Sequence, residues 1–127
     1  AVYNLEASKN LLSDYHFFGQ EVGRETVPVI ITLAPCGSLK TLKFMEWLGI
    51  SIPKWLENEL KYSGDILGKS VELCKGIFEE LFDFCSEKNI PLGCNVESVA
   101  IRKEEIEASI ELLNGINKII KRKYGAI

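Results

Sequence analysis

Apolar positions along this chain fall into short continuous runs and into stripes with a period near 3.6 residues. Val27-Pro28-Val29-Ile30-Ile31-Thr32-Leu33 is a continuous, mostly β-branched apolar run ending at Ala34-Pro35-Cys36-Gly37-Ser38, the pattern of a strand buried on both faces. Upstream, Ala1-Val2-Tyr3-Asn4-Leu5 reads as a short strand whose beginning is cut away, and Leu11, Leu12, Tyr15 and Phe18 predict a helix over about residues 8–21. Downstream, Ser38 is a candidate N-cap for a helix bearing Leu39, Leu42, Phe44, Met45 and Leu48, with Gly49 as its stop. Pro53 suits the first turn of a short helix from Lys54 to about Lys61. From Asp65 to Lys88, Ile66, Val71, Leu73, Cys74, Ile77, Phe78, Leu81, Phe82 and Phe84 give a long helix with a broad apolar face. Asn89-Ile90-Pro91 ends it, because the residue before proline disfavours the α region. Leu92 to Val99 predicts a third, weaker strand. Lys103 to Lys121 predicts a last helix with Ile106, Ile110, Leu113, Ile116 and Ile120 on one stripe, and Glu104 and Glu105 where its dipole favours them.

Strand, helix, strand, helices, strand, helix implies an α/β chain of three βα units with parallel strands and outer helices. Three parallel strands leave two open edges. Either the chain forms a small three-layer fold, or it completes a sheet whose other strands lie elsewhere; the uncapped first strand favours the second. No repeat or Ser/Gly linker divides residues 1–127 into two domains.

Composition narrows the function classes. The 127 residues are 46% hydrophobic and 26% charged, enough for one sizeable core. A net charge of −3, from 15 basic and 18 acidic residues, offers no positive field for nucleic acid. No apolar run approaches the roughly 20 residues of a membrane span, and no export signal opens the chain, so the expectation is a cytoplasmic protein. Cys36, Cys74, Cys85 and Cys94 stand too far apart for a metal motif and read as free thiols. His16 is the single histidine, which excludes a histidine-rich metal site. Trp47 and Trp55 follow helical spacing and read as packing between two helices, with an aromatic face for a flat heterocycle as the alternative.

In parallel α/β folds, ligands bind beyond the carboxyl ends of the strands. Three stretches qualify: residues 4–8, 35–41 and 95–102. Pro35-Cys36-Gly37-Ser38-Leu39-Lys40-Thr41 combines a glycine, the exposed amides of a helix N-terminus, a lysine and two hydroxyls, a turn suited to a polar or anionic ligand. It lacks P-loop spacing, and a plain capping turn is the competing reading. Glu97 lies inside the third strand and Glu6 just after the first, where a carboxylate can bind a hydroxyl or a pterin nitrogen or move a proton; an ion pair with Lys9, Lys40 or Arg102 is the structural alternative.

These residues carry a family likeness. Val27 to Pro35, then Ser38-Leu39-Lys40, then Leu48-Gly49-Ile50-Ser51-Ile52-Pro53-Lys54-Trp55-Leu56 resembles the "VPIIPGIxP" strand and "GxxIPxxL" segment of methylenetetrahydrofolate reductases. Gly68 and Val71-Glu72-Leu73-Cys74 resemble that family's "GIELAxxLC" helix, and Pro91-Leu92-Gly93 its "PGLH". The resemblance implies strands six to eight, the C-terminal three βα units, of a (β/α)8 TIM barrel spanning residues 1–127. It further implies a flavin-dependent oxidoreductase of one-carbon metabolism, with FAD as cofactor, reduced nicotinamide as electron donor and a folate or pterin as substrate. Ser38 and Lys40 would then serve the cofactor, and Asn4, Thr41, Phe44 and Glu97 the substrate. Tyr3 competes with Asn4, and Met45 with Phe44, for the family positions. Val96-Glu97-Ser98-Val99-Ala100 departs from the family's "YTLNR", and Arg102 replaces its arginine only with a shift. The rest of the barrel is the implied partner, a homo-oligomer stays open, and the chain alone is expected to catalyse nothing. A non-reducing pterin-binding or methyl-transfer-associated barrel subunit, and a small α/β interaction module, are the rival functions.

Overall fold

In a computed structural model, which describes residues 1–23 and 27–125, the chain runs α1 (Leu5–Glu21), β1 (Val29–Leu33), α2 (Leu39–Trp47), α3 (Lys54–Lys61), α4 (Ile66–Glu87), β2 (Leu92–Val96) and α5 (Lys103–Gly125). The two strands pair in parallel, with Val29 opposite Leu92 through Leu33 opposite Val96. Helices α2, α3 and α4 form the crossover between them.

Three βα units of a TIM barrel are therefore not what this chain forms; among the described residues two parallel strands stand amid five helices. The missing strand is the first. Asn4 adopts an extended conformation and its Oδ1 accepts the Ala7 amide at 3.0 Å, so the helix starts at Leu5. Residues 1–3 run ahead of that cap. Their link to the sheet is the Val2 amide donating to the Thr32 carbonyl at 2.8 Å. β1 is also covered on one side only: Ile31 and Leu33 are buried, whereas Ile30, pointing the other way, is 70% exposed.

The core is one cluster built around α4, which packs on α1, α3, α5 and β2. Val71, Cys74, Ile77, Phe78, Leu81, Phe82 and Cys85 recur at helical spacing and are all buried. Asp65 caps this helix through the Gly68 amide at 3.0 Å. Asn89, at φ 57, turns the chain out of it into β2.

Two packing expectations are corrected. On α5 the buried stripe is Glu105, Ala108, Leu112 and Ile116, leaving Ile106, Ile110 and Leu113 partly exposed. Small residues set this rotation: Ala108 lies on the buried face, and Gly115 leaves room that the Lys75 stem fills. The basic end of α5 pairs with α4, Arg122 on Glu79 and Lys123 on Asp83 at 3.0 Å. Between α2 and α3 the buried contacts are Leu42, Met45, Leu56 and Leu60; Trp47 is 79% and Trp55 57% exposed.

Burial leaves a titration signature. Removal from water pushes the Cys36 thiol up to about 11 and the Cys74 thiol up to about 12, from an ordinary 9.0. Cys85 and Tyr3 are raised by the same cause. A group whose folded pKa is raised contributes stability that is present below its unfolded pKa and is lost as pH rises through the folded value. The urea midpoint is therefore expected to hold up to about pH 8.5 and to fall steadily between about pH 9 and pH 11. A midpoint constant across that range would mean that these thiols ionise freely in the native state.

Candidate functional site

The carboxyl ends of β1 and β2 meet at one edge of the molecule. The Glu97 amide donates to the Leu33 carbonyl at 2.9 Å, tying the end of β2 beside that of β1. From Leu33 the chain enters the turn Ala34 to Ser38, whose first three residues are buried. The Cys36 amide donates to Ser70 Oγ on α4 at 2.8 Å, and that hydroxyl donates to the Leu67 carbonyl at 2.8 Å. The turn is thus tied to the central helix through its own backbone amide and the Ser70 side chain of α4.

Ser38 then caps α2, as its position after the turn predicts. Its Oγ accepts the Thr41 amide at 3.1 Å and shares a hydrogen bond with Thr41 Oγ1 at 3.1 Å. Thr41 Oγ1 also donates to Glu105 Oε1 at 3.4 Å. Glu105 comes from the first turn of α5 and is only 4% exposed. Its carboxylate lies against Gly37: a Cβ at that position would overlap Oε1 and stand 2.8 Å from both Cγ and Cδ. The absent side chain of Gly37 is what admits the carboxylate, and the positive end of the α2 dipole stabilises it there. Its second oxygen, Oε2, is buried and meets no donor among the described residues.

Sequence reading missed Glu105 as a site residue, treating it as a dipole-complementing surface charge. The legible signal was its spacing: 105, 108, 112 and 116 form one helical stripe, in which a glutamate stands with Ala108, Leu112 and Ile116.

The residues expected at the site divide into two groups. Ser38 and Thr41 are brought together with Glu105. Glu97 lies at the neighbouring strand end, exposed, with Oε1 accepting from Asn95 Nδ2 at 3.1 Å. Ser109 Oγ donates to the Glu105 carbonyl at 3.0 Å and lies 3.5 Å from that of Glu97, so one hydroxyl of α5 links the two ends. Lys9, a candidate partner for Glu97, pairs with Glu80 at 3.2 Å instead. Asn4 stands apart from Ser38 and Thr41: its Nδ2 donates to Ser51 Oγ at 2.9 Å, and both residues line a cavity of about 180 Å³ with Tyr3, Ser8 and Leu11. Lys40 and Arg102 are exposed. Phe44 faces outward from α2 and stacks on Trp47, centroids 6.0 Å apart at 20°. A wider groove of about 520 Å³ runs along the middle of α5, lined by Lys75, Glu107, Glu111 and Lys118, away from these strand ends.

FAD held at this turn would bring its diphosphate to the α2 N-terminus. A diphosphate at the α2 N-terminus would face the Glu105 carboxylate, already in contact with Gly37, and Ser38 Oγ is engaged with Thr41. The turn does not fit a dianionic group. Among the described residues no cluster of three or more His, Cys, Asp or Glu side chains is arranged to hold a metal, and no helix is long and apolar enough to cross a membrane.

No protein-family model and no curated protein matches the chain. A solved structure is similar: an uncharacterized protein from Clostridium thermocellum that binds two copies of 5-methyl-5,6,7,8-tetrahydrofolic acid. The two share 58% identity over 94% of this chain, with a TM-score of 0.81. This chain spans 41% of that protein's length.

Proposed function

We propose that this protein binds a reduced folate of the 5-methyltetrahydrofolate class at the carboxyl ends of its two strands. The observation that carries the reading is the 58% identity to a protein that binds that compound. The site chemistry agrees with it: Ser38, Thr41, Glu97 and Glu105 supply polar groups at one edge, and the exposed Phe44–Trp47 stack offers an aromatic surface beside a helix that borders it.

The likeness to methylenetetrahydrofolate reductases extends this reading to hydride transfer through FAD. A buried carboxylate where the cofactor's diphosphate would lie favours the other reading, a folate-binding protein that does not reduce its ligand. Protein purified colourless that still binds the folate would agree with that choice. Copurifying flavin absorbance, with oxidation of reduced nicotinamide in the presence of a folate acceptor, would restore the reductase.

Thermal unfolding with increasing 5-methyltetrahydrofolate checks the binding itself. A ligand that binds only the native state stabilises it by about 2.7 kcal/mol at a hundredfold excess over Kd. A saturable rise in midpoint is expected, and an unchanged midpoint at millimolar ligand would remove the proposal.

A further inference from the structure

We propose that the groove between α4 and α5 is a second binding site, for a reduced folate lying along the helices with its glutamate carboxylates on Lys75 and Lys118. The inference goes beyond the strand-end site and takes its ligand from the folate reading, on which it rests. The two helices run side by side in the same direction: Lys75 lies against Gly115, Glu79 pairs with Arg122 and Asp83 with Lys123. Between them the groove of about 520 Å³ continues into a second hollow of about 270 Å³, because Glu107 and Glu111 line both. Together they follow α5 from Glu104 to Lys118, about 21 Å of helix. Clefts of roughly 300–1,000 Å³ are the size that holds ligands of this class.

Charge gives the groove a direction. Lys75 and Lys118 stand at one end, and Asp65 and Glu104 at the other. Other cations on this pair of helices meet acids, Lys103 on Glu107, Arg122 on Glu79 and Lys123 on Asp83. Lys75 and Lys118 share their groove with Glu111, yet none of the three side chains has a hydrogen-bond or ion-pair partner among the described residues. Lys75 is half-buried, and its Cε would stand 2.4 Å from a Cβ at position 115, so the missing side chain of Gly115 seats the amine there. Between the charged ends lies Ile110, 56% exposed, apolar surface that a flat ring would cover. A molecule with carboxylates at one end, an aromatic middle and N–H donors at the other matches this order, and a reduced folate is built so. An acidic peptide would use the basic end alone. The similar Clostridium thermocellum protein binds two copies of its folate.

Calorimetric titration of the full chain tests this with 5-methyltetrahydrofolate, with p-aminobenzoylglutamate, which is the tail alone, and with 6-methyltetrahydropterin, which lacks the tail. The folate is expected to bind twice per chain and the tail-less pterin once. The double variant Lys75→Gln, Lys118→Gln should weaken one of the two folate sites about 10-fold, the value of two part-exposed ion pairs, and leave the other unchanged. Added salt should weaken that same site more than the other. In isotope-labelled wild type, the backbone amide resonance of Gly115 is expected to shift when the tail fragment binds. A single folate equivalent per chain overturns the assignment. So does a double variant in which neither site changes by more than about 2-fold, or a Gly115 amide that the tail fragment leaves unmoved. Tighter binding of a glutamate-rich peptide than of the folate in this groove would overturn it in favour of a protein partner. Failure of the wild type to bind 5-methyltetrahydrofolate at all would sink the folate reading itself, a result distinct from one folate bound and an empty groove.

Discussion

Replacing Phe78 with alanine is expected to lower the unfolding free energy by about 3–5 kcal/mol. Phe78 is fully buried at the centre of α4, the helix on which α1, α3, α5 and β2 all pack, and its ring lies 5.8 Å from that of Phe82. Truncation removes the transfer free energy of the ring and leaves a cavity that four rigid neighbours cannot all move to fill. Domains of this size are stable by about 5–15 kcal/mol in total, so the variant would lose about a fifth or more of what holds it together. Urea unfolding of wild type and variant measures the difference, and Phe78→Leu, which keeps most of the volume, should lose clearly less. A loss under about 1 kcal/mol for the alanine variant would mean that α4 is not the element around which the core is organised.

Local signals in the sequence carried most of the elements. Ser38 as a cap, Gly49 as a stop at φ 94, the proline-led helix Lys54–Lys61 and the break at Asn89 each depend on residues adjacent in the chain, and each stands where the pattern put it. What the pattern could not carry was which face of an element meets which neighbour. Five apolar residues on α5 form an acceptable stripe, yet the helix turns Ala108 and Leu112 toward α4 because small residues allow closer approach. The run Val27 to Leu33 reads as buried on both faces, yet in this chain the side bearing Ile30 is open. At Asn4 two local rules competed. A β-branched, aromatic lead-in suggested a strand, and a capping side chain one residue before a helix won.

The candidate site shows the same division. Its position, at the carboxyl ends of parallel strands beside a helix N-terminus, follows from topology and was legible. Ser38 and Thr41 were legible too, being three residues apart across a cap. Glu105 was not, because its burial depends on α5 reaching Gly37 across 68 positions of sequence, a contact with no local signature. The sign of the site's charge depends on that one residue. Without it the turn invites a phosphate; with it the same turn rejects one.

The contact between Gly37 and Glu105 makes a second large effect expected. Gly37→Ala should destabilise the protein by about 1–3 kcal/mol, the usual cost of forcing an extra methyl into a packed site. The new Cβ overlaps Oε1 and lies 2.8 Å from Cγ and Cδ, so the displacement involves the stem of the glutamate as well as its end. The Cys36 amide is held by Ser70, which limits how far the turn can retreat, so the carboxylate has to leave its place. In a Glu105→Ala background the obstacle is gone, and the added methyl partly fills the space left behind; Gly37→Ala should then be close to neutral. The coupling across this double-mutant cycle is expected to be about 1–3 kcal/mol, against the few tenths seen for independent sites. If the two changes simply add, the glycine is tolerated for its backbone and the carboxylate does not occupy the turn. If they couple as expected, the carboxylate of Glu105 is held in the turn by the space that Gly37 leaves.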